Sequence, residues 1–394
     1  MNVIHIKGDV GMKLQKLLLS AISLSLTASA FMSTAMAQDI SGTINLATAG
    51  DTNMTELQEN EIMPLFAEKV SKDLKVNVVG TGAGDAGSKA IYDKLKAQKD
   101  SGAETFDIDV AIVHESIMGK LIEDELIKEW IPMADNAKFV NSASAKTALG
   151  TDVEGYVAPL FQSQTAIAYN SDEIEKPFES FEDLKSWIEE NPNMFGYNGI
   201  TNGASGTSFM AAYTYWKTDD YETLTKGPVE EENKNKWPDV MKELKGLPVT
   251  ITNGNNGTLD MLNRGEILAG PVWVDMFQTW KNEGRMGENV KLAIPDPGMP
   301  GQAMYIVITS KPANEEAALA YANFMIDPQV QADVIVNKYN WYPGIDSEKV
   351  LELASDEAKE NLFGTITPEI LKERARQLPL ADTYLEMQDA YENN

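Results

Sequence analysis

The stretch YVAPLFQSQTAIAYN, residues 156–170, is long and apolar and reads as one extended strand. Its middle is polar, with Gln162, Ser163, Gln164 and Thr165. Strand alternation puts Gln162 and Gln164 on one face, and beside Phe161 and Ile167 that pair is expected to face a cleft, with solvent as the other assignment. Ser180 then opens a helix over Phe181–Glu190, with Glu182 and Asp183 in its first turn.

Working outward, residues 43–48, 75–79 and 108–113 read as strands. Between the first two lies a helix with Leu57, Ile62, Leu65, Phe66 and Val70 on its apolar face, which Pro64 should kink or break. A helix from Ser88 carries Ile91 and Leu95. Downstream, residues 258–264 form a helix stopped by Gly265, and residues 267–274 a strand interrupted at Gly270-Pro271. Residues 302–309 are a further strand. Helices over 315–326 and 329–338 are separated by Asp327-Pro328, and the charged segment 219–238 reads as a surface excursion. Alternating strands and helices predict an α/β fold with largely parallel sheets.

The chain has 394 residues, enough for about two domains. It contains no Cys, which excludes disulfides, thiolate catalysis, Cys-based metal sites and lipid attachment at an N-terminal Cys. A formal net charge of −27 argues against nucleic acid and anionic membrane surfaces. Lys13 and Lys16, the apolar segment 17–31 and Ala35-Met36-Ala37 make the three-part pattern of an export signal, expected to be cleaved after Ala37. Met12 is an alternative start to Met1. The signal takes His5 with it and leaves His114 as the one histidine, which removes multi-His metal sites and any Ser-His-Asp triad placed elsewhere.

Residues 156–187 resemble the segment of ABC-importer solute-binding proteins in which the chain first crosses between two lobes. The matching features are the apolar strand ending Tyr169-Asn170, the turn bearing Pro177, and Phe178-Glu-Ser-Phe-Glu-Asp-Leu184. Gly265-Glu266-Ile267, Gly270-Pro271-Val272-Trp273 and the closing pair around Phe324-Met325-Ile326-Asp327-Pro328 continue the resemblance, which is nearest to the group that includes maltodextrin, polyamine and thiamine binders. It implies a two-lobed periplasmic-binding-protein fold of type II character, hinged between lobes. Lobe 1 is expected over 38–155 and 303–345, lobe 2 over 156–302, and a helical extension packing on the lobes over 346–394. It implies a small-molecule solute as ligand and ABC permease subunits as partners. The protein is expected to be a monomer free in a periplasm, not a lipoprotein, without metal or cofactor.

Ligand sites in open α/β sheets lie beyond the carboxyl ends of strands. Asp51 and Asn53 follow the first strand, as ligand contacts or as helix caps. Gly82-Ala83-Gly84-Asp85-Ala86-Gly87 matches G-x-G-x-x-G but follows the second strand of an exported protein, so it reads as a turn rather than a dinucleotide fingerprint. With Ser88 it either binds an anionic or hydroxyl group, or simply turns the chain while Ser88 caps. His114 and Glu115 end the third strand. Ser205 and Gly206, within the stretch 202–207, and Thr258, after Asn255-Asn256-Gly257, offer hydroxyl and N–H groups from the second lobe. Trp273 with Asp275 can hold a sugar face or an amine. Tyr305 and Trp341 are weaker aromatic candidates. The solute is accordingly expected among polyols and sugars, amines, and phosphorylated or phosphonate compounds. The alternative is a secreted carbohydrate-active enzyme using cleft carboxylates such as Asp51 and Glu115.

Overall fold

The computed structural model describes residues 40–50, 52–82, 84–201 and 203–394. The export signal, Asp51, Ala83 and Asn202 lie outside the described residues. The chain opens with β1 (Gly42–Thr48), then α1 (Thr52–Glu56), a π-helical stretch Leu57–Ile62 and α2 (Met63–Lys69). The expected break at Pro64 is absent. The wider π turn just before the proline accommodates its ring and missing N–H without ending the helix. Leu57, Ile62 and Phe66 are buried, but Val70 falls past the helix end and is exposed. Next come β2 (Leu74–Gly80), α3 (Gly84–Asp100), β3 (Val110–His114) and α4 (Met118–Glu123). Helix α3 begins before Ser88, so Ser88 is interior to it and not its cap.

The long run predicted at 156–170 is β4 (Ala158–Asn170). It leads to α5 (Phe181–Glu190), whose first turn is capped by Ser180 accepting the Asp183 N–H. Helix α6 (Ala204–Thr218) is buried on nearly every side and forms the centre of its region, with Phe181, Phe195, Tyr197 and Phe209 packed ring against ring. The expected surface excursion is instead built into the fold. It holds α7 (Tyr221–Lys226) and the start of α8 (Trp237–Lys245), and it buries Leu224 and Trp237. Then follow α9 (Gly254–Asn263), β5 (Ala269–Trp273), α10 (Val274–Asn282), β6 (Val290–Ala293) and β7 (Met299–Ile308). Strand β5 runs through Gly270-Pro271 without a break. Beyond Ala269, which bridges to Phe195, its far side has no strand partner among the described residues, the setting in which a strand tolerates proline.

Helix α11 (Glu315–Met325) and α12 (Pro328–Val330), the latter continuing as a π-helical stretch Gln331–Val336, match the predicted closing pair. Asn314 and Asp327 cap them. The tail adds β8 (Tyr342–Pro343), α13 (Ser347–Leu353), α14 (Asp356–Phe363), α15 (Pro368–Arg374), β9 (Ala375–Arg376) and α16 (Ala381–Asn393). Residues 41–394 form one unit.

These nine strands join one sheet, with the path β6-β4-β7-β3-β1-β2 and with β5, β8 and β9 attached to β4, β4 and β7, while four two-residue strands pair apart from it, Thr147–Ala148 with Thr151–Asp152 and Gly196–Tyr197 with Thr250–Ile251. The expectation of largely parallel pairing is corrected. β1 runs parallel to β2 and β3, and β9 to β7, but β4 and β7 are antiparallel to their other partners. The reason lies in β4 and β7. β4 pairs with β7 and β8 through its first half, then with β5 and β6 from Thr165 onward. A strand that serves two sheet regions in this way must be long, buried and continuous, which is what the run 156–170 encodes.

Candidate functional site

Two cavities flank the crossing strands β4 and β7. The register pairs Phe161 with Met304 and Ser163 with Gln302, and pairs Gln162 with Ala303 and Gln164 with Gly301. Phe161, Ser163, Gln302 and Met304 line the front cavity, of about 680 Å³. Gln162, Gln164, Gly301 and Ala303 line the back one, of about 1310 Å³, which Ser163 and Gln302 also border. The predicted pair Gln162 and Gln164 therefore sits on the face away from the front cleft. Gln162 donates to Ser144 Oγ at 3.0 Å, and Gln164 to the carbonyls of Met299 and Thr165 at 2.6 and 3.0 Å.

The back cavity is the larger, but the front one has the chemistry of a binding site. It lies beyond the carboxyl ends of β1, β3 and β5, whose following residues include Gly50, Asn53 and Asp275. Four helices start on its wall: α3 at Gly84, α6 at Ala204, α9 at Gly254 and α10 at Val274, next to the lining residue Asp275. At the starts of α6, α9 and α10, the cap residues Gly203, Asn253 and Trp273 make no side-chain cap hydrogen bond. Side chains cap α5, α11, α12, α13, α14 and α15, whereas α7, α8 and α16 lack such a cap too, so what marks the cleft is that three uncapped starts share one wall. Uncapped first turns leave N–H donors and the positive ends of helix dipoles directed at the cleft. Asp85 and Asp275 sit in the first turns of α3 and α10, where those dipoles favour a carboxylate. The wall thus offers both N–H donors and carboxylate acceptors.

Of the predicted residues, Asn53, Gly84, Asp85, His114, Trp273 and Asp275 come together on this wall. Asn53 is buried and its Oδ1 has no hydrogen-bond partner, so a ligand donor is the natural complement. Asn255 accepts the Trp273 N–H through Oδ1 at 2.7 Å and leaves its Nδ2 without a partner. Ser163 donates to the Asp275 carboxylate, and Ser116 to that of Asp85. The three glycines of the Gly82–Gly87 turn serve geometry. Gly82 and Gly84 have positive φ, and a Cβ on Gly87 would lie 2.0 Å from the Gly82 carbonyl oxygen.

The other predicted residues stand behind the wall. Ser88 is fully buried and meets His114 twice at 3.0 Å, at Nδ1 and by accepting its backbone N–H, so it orients the imidazole. Ser205 accepts from Asn198 Nδ2 at 2.8 Å. A Cβ on Gly206 would lie 1.8 Å from the Gly199 carbonyl oxygen, so Gly206 lets α6 close on that loop. Thr258 is buried against Thr252 Oγ1 at 2.7 Å, because α9 starts one turn earlier than predicted. Tyr305 donates to the Ser144 carbonyl at 2.6 Å within the core. Trp341, also core, packs at a tilt against Phe161 and Tyr339, and its indole N–H donates to the Asp275 carbonyl at 2.9 Å. Glu115 borders the back cavity. Burial, then the nearby Asp85 carboxylate, push its carboxyl up to about 8, against a partial offset from the Ala303 backbone N–H. Asp51 lies outside the described residues.

Sequence reasoning missed Phe161, Ser163, Asn253, Gln302 and Gln388. The first two are one residue out of phase with the predicted face. Asn253 belongs to a helix start placed too late, and Gln388 comes from the far end of the chain, where no local signal marks it. Among the described residues, no group of three or more His, Cys, Asp or Glu is placed to hold a metal ion, and no helix is long and apolar enough to cross a membrane.

Comparison with known proteins agrees with this architecture. The GacH receptor of Streptomyces glaucescens superposes with a TM-score of 0.67 at 15% identity, over 90% of this chain and 94% of that one. An ABC transporter protein from Clostridium perfringens gives 0.61 at 20% identity, over 88% and 98%. The spermidine/putrescine substrate-binding protein PotD from Streptococcus pneumoniae gives 0.60 at 18% identity, over 89% and 100%. At these identities the likeness establishes the two-lobed fold. A comparison with curated proteins finds no match. Residues 33–361, most of the chain, match a sequence family in their own right, and the protein therefore belongs to the bacterial extracellular solute-binding proteins.

Proposed function

We propose that the front cleft captures a small polar organic solute carrying both donor groups, amine or hydroxyl, and acceptor oxygens, and that the lobes close on it about β4 and β7. The observation that carries this reading is the pairing of side-chain-uncapped helix starts with two carboxylates, Asp85 and Asp275, on one wall. The helix N–H groups take the acceptor oxygens, and the carboxylates take the donors. Trp273 supplies an aromatic face for the solute's apolar surface. A zwitterion, an amino-polyol or a sugar satisfies such a wall. GacH was solved with acarbose, and PotD is described as a spermidine/putrescine protein, which is consistent with solutes of this kind.

The lobes of this reading are residues 38–155 with 303–345, and residues 156–302, with 346–394 packed on them. Closure is stabilised only by the solute's differential affinity for the closed form, which then docks on the permease. The mature protein works as a monomer in the periplasm after cleavage at Ala37, and with no Cys it carries no lipid there. It acts without turnover. Against the enzyme alternative stands the position of Glu115, one of its two suggested carboxylates, which borders the back cavity and not the front cleft.

The test is a thermal-unfolding scan of stripped mature protein against sorbitol, maltose, putrescine, spermidine, thiamine, glycine and 2-aminoethylphosphonate, with product analysis on the same mixtures. A compound at a hundred times its dissociation constant adds about 2.7 kcal/mol of stability. A shift confined to one chemical class, without product, is the expected result. Product formation, or no shift with any of these compounds, would overturn the reading.

A further inference from the structure

The tail beyond residue 361 lies outside the family match, yet it reaches the cleft. Arg374 first donates to the Glu179 and Ile294 carbonyls at 3.3 and 2.9 Å, and β9 pairs with β7 at Met299 and Pro300. Tyr215 OH then donates to the Gln377 carbonyl at 2.8 Å. At the start of α16, the Leu380 N–H bonds the Leu224 carbonyl and the Ala381 N–H bonds the Leu149 carbonyl, at 2.9 and 3.1 Å. Two ties further along, Lys234 with Glu386 and Lys245 with the Tyr391 carbonyl, hold the rest of the helix. So anchored, α16 has one fixed position.

Tyr384, Gln388 and Tyr391 are spaced four and three residues apart and share one helix face. Tyr384 is buried and meets the hydroxyl of Thr207, a cleft-wall residue in the second turn of α6. Asp85, on the opposite side of the cleft, is close enough for its charge to act on the Tyr384 hydroxyl. Gln388 itself lines the cleft. Gln388 is half-buried there, beside a lining that includes Asn53 and Asn255, each with a buried amide atom that has no partner.

We propose that α16 is a third wall of the solute cleft and that Gln388 is a specificity-determining contact, its amide reading a hydroxyl, amine or carboxylate of the bound solute. The solute contact rests on the functional reading of the cleft, and the wall itself does not.

The chain has no Cys, so single-cysteine labelling is unambiguous. A bimane attached through Gln388→Cys reports a nearby tryptophan by contact quenching. Emission is expected to rise about twofold when Trp273→Phe is added, and to stay unchanged for a bimane attached through Leu385→Cys, which is exposed on the adjacent face. Emission at position 388 indifferent to Trp273→Phe would overturn the wall, whatever the solute. The second arm titrates wild type and Gln388→Ala by calorimetry with the compounds of the thermal panel. A compound that shifts wild type is expected to bind Gln388→Ala about fivefold or more weakly, the loss of one hydrogen bond, with the unliganded melting temperature unchanged. Equal affinity would overturn the contact. No shift with any compound would count against the proposed solute class, and the bimane arm alone would then decide the wall.

Discussion

The two faces of the crossing strands differ in what their polar groups are doing. On the back, the Gln162, Gln164 and Tyr305 side chains each bond a partner within the chain. On the front, Asn53 and Asn255 keep unpartnered atoms, and three helices start without side-chain caps. The back cavity is nearly twice the volume, yet apart from the Tyr342 hydroxyl, which has no partner, its buried polar groups are committed and have little to offer a solute. Volume is therefore a poor guide here, and unspent hydrogen-bonding capacity a better one.

The largest test of this contrast is Trp341→Ala. Trp341 is buried, packs on Phe161 from behind and bonds the Asp275 carbonyl. As scaffold, it should cost about 3–5 kcal/mol of stability, read from denaturant midpoints. A variant of unchanged stability that fails to bind would move Trp341 to the front and break the division. Glu115 tests the back by pH. Its folded carboxyl is raised to about 8 from 4.5, first by burial and then by Asp85, so the folded state holds the proton more tightly than the unfolded chain. Its contribution to stability is complete below about pH 4.5 and is lost as pH rises through about 8, by on the order of a few kcal/mol. Glu115→Gln, which keeps an acceptor for the Ala303 N–H, should flatten that part of the profile. An identical pH dependence in wild type and variant would show that Glu115 is not the titrating group.

On the front, Trp273→Ala should weaken binding of a panel compound by about 1–3 kcal/mol through lost stacking area, measured by calorimetry. Unchanged affinity would remove Trp273 from the site. Trp273 was legible in the sequence because a strand followed by a helix start fixes where its last residue points. Asp275, Asp85, Asn53 and His114 were legible for the same reason. Ser88 and Thr258 were misplaced because glycines are poor markers of helix starts: α3 and α9 begin at Gly84 and Gly254, and each carries a second glycine, Gly87 and Gly257, immediately before the residue taken as the start. The parallel sheet was misjudged because local pattern does not encode the direction in which a crossing strand is paired. Gln388 was invisible because its place depends on ties that run to residues 149 and 224.

The face of β4 is the finest point of the comparison, since period-two alternation says which residues share a side but not which side. Hydrophobicity suggested that the two glutamines faced the cleft, but glutamine has a long side chain and can be buried wherever carbonyls are waiting, as Gln164 is against Met299. Neighbouring substitutions separate the faces at minimal perturbation. Ser163→Ala removes the donor that holds the Asp275 carboxylate and should weaken binding by about 1 kcal/mol with little change in stability. Gln162→Ala removes the bond to Ser144 and should cost about 0.5–1 kcal/mol of stability with affinity unchanged. If the two variants exchange these phenotypes, the strand faces the cleft in the other phase, and the glutamines rather than Phe161 and Ser163 belong to the solute.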